Sequence, residues 1–491
     1  MTEPLILSID VGTSSVRTLL FDARGQDLDG FGAQIPYDVH TTPDGGAEID
    51  ADALAGLVIE AISEAHRQLE PADARPAAVA SDTFWHNVLG VGQDGRPVTP
   101  VIHLFDTRSA AAAKELERKI DPRAQHARTG CVLHPSYLPA KLVWLAETQP
   151  EKFRAARHWM SFGEYLFLRL FGEARASVSM VSGSGLWNQN QNDYDAGILQ
   201  ILPVTRDQLA TAGEMDQPCR KLRPEYGSQW PRLDGIPWYP ALGDGACNSV
   251  GSGCITPDRF ALMVGTTGAL RAVTETPTIE IPDGLWCYRL DRRRFVLGGA
   301  LSNGGAVYAW MRRTLVLGRD EEVEAELAKM PPGAHGLTML PLFAGSRSPT
   351  WRADVRAAIT GMSLDTRPLD ILRASLEAVA LRFRNIYDIM TQALGSPAEV
   401  VASGGALLHS HAWTQMMADA LGHPVFPCLE KEASGRGAAL VALERLGAIK
   451  QLSELTAKTG TAYQPDPGHG AAYRDYLGRQ RRLYAKLFEE N

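Results

Sequence analysis

The chain reads as an α/β protein built from two related domains that face each other across a cleft. Three features carry that reading. Short apolar runs ending in glycine turns alternate with long stretches whose apolar residues recur at spacings of three and four, the pattern of strands interleaved with helices. One strand-loop-strand unit stands near the start, where residues 5–9 run into Asp10-Val11-Gly12-Thr13-Ser14-Ser15 and on through Val16 to Phe21. A similar unit returns in the second half, where Phe260 to Val264 lead into Gly265-Thr266-Thr267-Gly268 and then Ala269-Leu270-Arg271.

Taken in order, the first unit is a strand, a glycine turn and a second strand ending at Asp22 to Gly25. Helical periodicity follows over residues 51–69, 107–119 and 138–147. After the second unit it returns over 366–394, 411–421 and 435–446, and Tyr473 to Phe488 reads as an amphipathic closing helix. A chain of 491 residues has material for two or three domains. The spacing of the two units puts the boundary between residues 240 and 255, which divides the chain into 1–245 and 246–491. No tandem repeat of solenoid length is present.

Composition narrows the function. Apolar residues make up 45% and charged residues 22%, which disfavours disorder and coiled coil. The net charge of −8 supplies no bulk attraction to nucleic acid or to an anionic membrane, so an anionic ligand has to be held locally. The six cysteines include no Cys-x-x-Cys pair, which argues against a zinc knuckle or dithiol redox site and suits reduced thiols. The N-terminal residues carry acids where a secretory signal needs bases, and no apolar run is long enough to span a bilayer, so a cytoplasmic protein is expected.

Several motifs are weighed against simpler readings. Gly90-x-Gly92-x-x-Gly95 has the dinucleotide-binding spacing, but Arg96-Pro97 follows where a helix would have to start, so Asp94-Gly95 is a hairpin turn. A Walker loop needs a Gly-Lys step and a hydrolase elbow needs Gly-x-Ser-x-Gly; neither occurs. In Asp10-Val11-Gly12-Thr13-Ser14 a carboxylate at a strand end can hold hydrated Mg²⁺, while glycine lets backbone N–H groups cradle phosphate oxygens. With Gly265-Thr266-Thr267-Gly268 in the other half, two loops can clamp one polyphosphate. Gly243-Asp244-Gly245 sets a carboxylate among glycines, where an acceptor hydroxyl can approach it and lose its proton. Ser403-Gly404-Gly405-Ala406 leads toward a helix whose start can carry a nucleotide. Trp85-His86-Asn87 and Asp106-Thr107-Arg108 offer an indole face and hydrogen-bonding groups suited to a polyhydroxylated ligand. His409-Ser-His411 lacks a third metal ligand and reads as surface or pocket lining.

This ordered set resembles the FGGY carbohydrate kinases, within the wider actin, sugar-kinase and heat-shock ATPase group, over nearly the whole chain. Ala140-Lys141-Leu142, Gly298-Gly299-Ala300, Asn303-Gly304-Gly305, Arg347-Ser348-Pro349 and the segment with Trp413, Gln415 and Asp419 fall in the family's order beside the motifs above. The resemblance implies two actin-like (ribonuclease H-like) domains closing over ATP, Mg²⁺ and a sugar or sugar acid. It implies Asp244 as catalytic base and Asp10 as the metal residue. Gly12, Thr13, Ser14, Gly265, Thr266, Gly305, Gly404 and Gly405 would meet the ATP, with His409 near its adenosine. His86, Asp106, Arg108, His134, Tyr137 and Asp244 would line the acceptor pocket, and Lys141 belongs either to the pocket or to the helix surface, with surface favoured.

The chain departs from many relatives in having Leu104-Phe105 ahead of the Asp-x-Arg element and histidine at position 409. Ala47 to Asp50, Trp85-His86-Asn87 and His134-Pro135 look most like gluconokinase-type members, which puts gluconate first. A xylulose, ribulose or other polyol kinase, and a noncatalytic ATP-gated sugar sensor, stay open as alternatives. The resemblance implies a small-molecule partner and no nucleic acid or membrane partner, and is compatible with a homodimer.

Overall fold

The computed structural model describes residues 3–71, 73–211 and 216–489. Its core is a pair of mixed sheets built on one plan. In the first sheet, β1 (Ile6–Val11) pairs antiparallel with β2 (Ser15–Phe21), which continues to β3 (Ala33–Pro36). On its other side β1 pairs parallel with β4 (Ala78–Thr83), which carries the short β5 (Leu242–Gly243) at the edge. The second sheet repeats the plan. There β6 (Arg259–Val264) pairs antiparallel with β7 (Gly268–Glu275), and β8 (Trp286–Arg289) and β9 (Arg294–Leu301) extend that side. The parallel neighbours of β6 are β10 (Glu399–Ser403) and then β11 (Val425–Pro427). The Gly12 and Gly265 turns therefore occupy the same place in the two sheets, each joining the central strand to its antiparallel partner.

The helices follow from the sequence pattern. In α1 (Ala51–Leu69), Leu54, Ala55, Val58, Ala61, Ile62, Ala65 and Leu69 form one buried stripe, and the Asp50 side chain accepts from Ala53 N at 2.8 Å to cap the first turn. The first turn of the stretch expected at 107–119 is lost. Residues 107 and 108 are held in the turn around Asp106, and α2 starts at Ala110 and runs to Lys119. The helices α3 (Leu138–Thr148), α4 (Pro368–Leu394), α5 (His411–Leu421) and α6 (Gly470–Phe488) lie where the periodicity places them. Gly95, at φ +76°, closes the hairpin turn, with Gly92 N donating to Arg96 O at 2.9 Å.

Two further helices join the halves. The residues Asp244–Gly251 form a helix at the end of the first sheet, and the chain enters the second sheet at Arg259. The expected division at 245/246 falls inside this helix. Ala433–Arg445, from the second half, packs against it and over the first sheet: Ser8 Oγ donates to Gly435 O, and the buried Arg436 donates to Gly25 O and Gly251 O. The two helices approach so closely that a Cβ at Gly437 would lie 1.9 Å from Cys247 O, and one at Gly251 1.7 Å from Ala433 O. Because backbone lies on the far side, no side chain can move to make room. Gly437→Ala is therefore expected to lower stability by about 1–3 kcal/mol, read as a lower melting temperature in calorimetry.

Candidate active site

Parallel register gathers the acids. Asp10 ends β1 beside Asp82 of β4, Asp82 is in register with Leu242 of β5, and Asp244 lies two residues beyond Leu242. Three carboxylates from distant parts of the chain thus lie near one another at one end of the strands of the first sheet. Burial pushes Asp10 up to about 6, partly offset by Arg17, its register partner on β2. Asp82 is pushed well above its ordinary value, first by burial and then by the charge on Asp10. Both Asp82 carboxyl oxygens are buried, with no hydrogen-bond partner besides the neighbouring Asp10 carboxyl. Such oxygens fit a hard divalent cation, whose positive charge would favour the carboxylates and offset the effect of burial. Among the described residues no cluster of three His, Cys, Asp or Glu closes a metal site by itself, so a cation here would draw its other ligands from phosphate and water.

Asp244 is the first residue of its helix, where the positive end of the helix dipole favours the carboxylate while burial pushes its proton affinity up. Its Oδ1 accepts from Gly245 N at 2.8 Å. The glycines on either side are a packing requirement: a Cβ at Gly243 would lie 1.9 Å from the Trp85 ring and one at Gly245 2.7 Å from it. Trp85 is fixed in turn by its indole N–H donating to Ser179 O at 2.9 Å. Trp286 stacks on Tyr288 with centroids 4.3 Å apart, and Trp85 meets Tyr288 edge-on at 4.9 Å. Asp244 and this aromatic wall open onto a cavity of about 390 Å³ whose other side carries Thr13, Ser14, Gly265 and Thr266. The cleft continues into a second cavity of about 500 Å³ that adds Asp106 and His134 from the first half and Trp310 and Phe343 from the second.

The glycines expected to meet the nucleotide also converge. Gly305 N donates to Gly265 O at 2.7 Å, and a Cβ on Gly305 would lie 2.5 Å from Ala406 Cβ. Gly404, at φ +91°, passes so close to Val264 O that a Cβ would stand 2.5 Å from it. His409 is exposed and folds over this turn, its Nδ1 bonded to Gly405 O at 2.7 Å. Gly12 accepts from the Tyr37 hydroxyl through its carbonyl.

The residues expected to line the acceptor pocket divide into two groups. His86 lines the cavity at φ +62° and is neutral, since burial pushes it down to about 3. Its Nδ1 lies 2.7 Å from Gly183 O, which can only accept, so the ring proton sits there and Nε2 is left as an acceptor. His134 is likewise neutral, held by Ser136. Asp106 and Arg108 are engaged with each other. Asp106 accepts from Ala47 N and from Arg108, while Arg108 also pairs with Glu48 and lies over Trp144, so Arg108 lines neither cavity. Tyr137 stands behind the aromatic wall, its hydroxyl 2.6 Å from that of Tyr288. Lys141 corrects the sequence reading: it is fully buried, and its Nζ donates to His86 O and His103 O. Those two carbonyls, turned inward by the chain around His86 and His103, make the buried amine a structural tie and not a surface charge. Sequence reasoning passed over Asp82 and Arg271, and read Arg347 only as part of a motif, although Arg271 and Arg347 both line the cavity. Asp82 had a signal, since like Asp10 it is an acid closing an apolar strand.

The N-terminal domain of the FGGY family of carbohydrate kinases matches residues 5–251, and the C-terminal domain matches residues 260–444. The chain belongs to this family. It is an ATP-dependent carbohydrate kinase with two actin-like domains, and kinases of this family use ATP with a divalent metal. Similar proteins include the gluconokinase of Bacillus subtilis, 27% identical over 473 residues, covering 94% of this chain and 91% of that one. Two solved structures from Lactobacillus acidophilus are each 26% identical. The xylulose kinase superposes with a TM-score of 0.91 over 99% of both chains, and the gluconate kinase with 0.90 over 100% of this chain and 99% of that one. Among the described residues no helix is long and apolar enough to cross a membrane.

Proposed function

We propose that this FGGY kinase transfers the γ-phosphoryl group of MgATP to a terminal hydroxyl of a sugar acid, with gluconate as the first acceptor to test. The observation that carries the reading is the placement of Asp244 in one cavity with the Thr13-Ser14 loop, the Gly265-Thr266 loop and an aromatic wall. The likeness to a gluconokinase supports the acceptor. The equal likeness to a xylulose kinase keeps a pentulose as the second reading.

Each residue has a task under this reading. Asp244 accepts the proton of the acceptor hydroxyl as the new O–P bond forms and the bond to the leaving ADP breaks. Backbone N–H groups and hydroxyls at Gly12, Thr13, Ser14, Gly265 and Thr266 hold the phosphate oxygens from both lobes. Gly305, Gly404, Gly405 and His409 line the path of the rest of the nucleotide. Asp10, with Asp82 behind it, would hold Mg²⁺, which supplies charge neutralisation for the phosphates. His86 and His134 orient the acceptor, Tyr137 backs the wall, and Asp106 with Arg108 braces the lip of the cleft. Closure of the lobes excludes water that would otherwise take the phosphoryl group.

A coupled ADP-release assay over gluconate, xylulose, ribulose and glycerol tests the assignment. Gluconate is expected to give the highest kcat/KM; a neutral compound in first place would replace the acceptor. ATP binding without turnover on any compound would favour the sensor. A pH profile follows from Asp244. Its carboxylate form is the active one, and burial raises its proton affinity above the usual 3.8. Activity should therefore fall on acidification with an apparent pKa above that of an ordinary aspartate, and an acid limb at or below 3.8 would contradict the assignment.

A further inference from the structure

Two guanidinium groups face the acceptor cavity and have no work in the scheme above. Arg271, on β7, is 6% exposed and lies against Gly245, where a Cβ would stand 3.2 Å from its Cζ. Its Nη1 reaches Asn248 Oδ1 at 3.3 Å, and its Nε is buried with no hydrogen-bond partner. Arg347 enters the same cavity from the loop after Ser346, with Nη2 donating to Leu301 O at 3.1 Å. Among the described residues neither arginine forms an ion pair, although both line the cavity that holds Asp244.

Burying two like charges beside a single carboxyl group that pairs directly with neither is costly, and each makes the other less favourable. Burial, together with the charge on Arg347, pushes Arg271 down to about 10 against the pull of Asp244. A neutral polyol or ketose would leave this cost in place, whereas an anionic group on the acceptor would relieve it. The loops at Thr13 and Thr266 already offer donors to the phosphates, so the nucleotide does not by itself account for the pair. Asp244, Arg271 and Arg347 line one cavity of about 390 Å³, so a ligand in it can reach the base and both cations. Its reacting hydroxyl would meet Asp244 and its charged end would meet the guanidinium groups.

We propose that Arg271 and Arg347 form the carboxylate-recognition element of the acceptor site, so that this kinase selects an open-chain polyhydroxy acid over its uncharged analogue. The inference rests on the acceptor reading given above and names the residues that would enforce it. The alternative task for such arginines is to stabilise the transferring phosphoryl group, which would act on every acceptor alike.

Steady-state kinetics with gluconate and the neutral D-gluconamide, on wild-type enzyme and on Arg271→Gln, Arg271→Lys and Arg347→Gln, separates these cases. Wild-type kcat/KM should favour gluconate by about 10- to 100-fold, the worth of charge-assisted hydrogen bonds. In Arg271→Gln that preference should collapse, mainly through a higher KM for gluconate, and Arg271→Lys should recover part of it. If the Arg271 variants do not fold, as judged by thermal unfolding and ADP binding, Arg347→Gln and the wild-type comparison still decide. Equal loss of kcat on both compounds with the preference intact would overturn the recognition role while leaving the sugar-acid reading in place. A wild-type enzyme that favours gluconamide, or turns over only neutral sugars, would overturn the sugar-acid reading and this inference with it.

Discussion

Replacing Asp244 by asparagine is expected to lower kcat by about 10²- to 10⁴-fold, the usual worth of a positioned general base. The substitution keeps the size and the hydrogen bond to Gly245 N, so the packing of Gly243 and Gly245 against Trp85 is undisturbed. What it removes is the acceptor for the hydroxyl proton. ATP binding, measured by calorimetry, should stay within a few-fold of wild type because the glycine loops lie on other strands. A variant with near-normal turnover would show that Asp244 is not the base.

The second large effect is expected at Asp10. Asp10→Asn should reduce kcat by about 10²-fold at fixed Mg²⁺, in the range seen when one preorganised charge is lost from a phosphoryl or acyl site. It should also raise the Mg²⁺ concentration needed for half-maximal ADP binding in an equilibrium titration. Asp10 lies beside the buried Asp82, and its charge raises the proton affinity of Asp82, so the substitution removes a buried charge that has no cation to balance it. The apo protein should for that reason melt no lower than wild type. An unchanged Mg²⁺ requirement would separate Asp10 from the metal.

Much of this arrangement was legible before any coordinates. Helical spacing over 51–69 and 411–421 translated directly into α1, which buries one stripe, and α5, which is buried over most of its length. The two glycine turns also kept their meaning, since a hairpin around Gly12 and another around Gly265 are local structures. Contacts between strands far apart in sequence were not legible. Asp82 resembles Asp10 in sequence, but only the parallel register sets the two side by side. Arg271 reads as an ordinary strand residue until the Asp244 helix is laid against it. Lys141 misled for the opposite reason, because an amine on a helix is normally solvated and only the two inward carbonyls explain its burial.

The central claim concerns where Asp244 stands relative to the reacting phosphorus. A crystal structure with a non-hydrolysable ATP analogue, Mg²⁺ and gluconate tests it most directly. The terminal phosphorus is expected between the Thr13 and Thr266 loops, with an acceptor hydroxyl in hydrogen-bond contact with the Asp244 carboxylate on the side facing it. A triphosphate bound outside the space between these loops, or an acceptor whose hydroxyls all lie beyond reach of Asp244, would contradict the account.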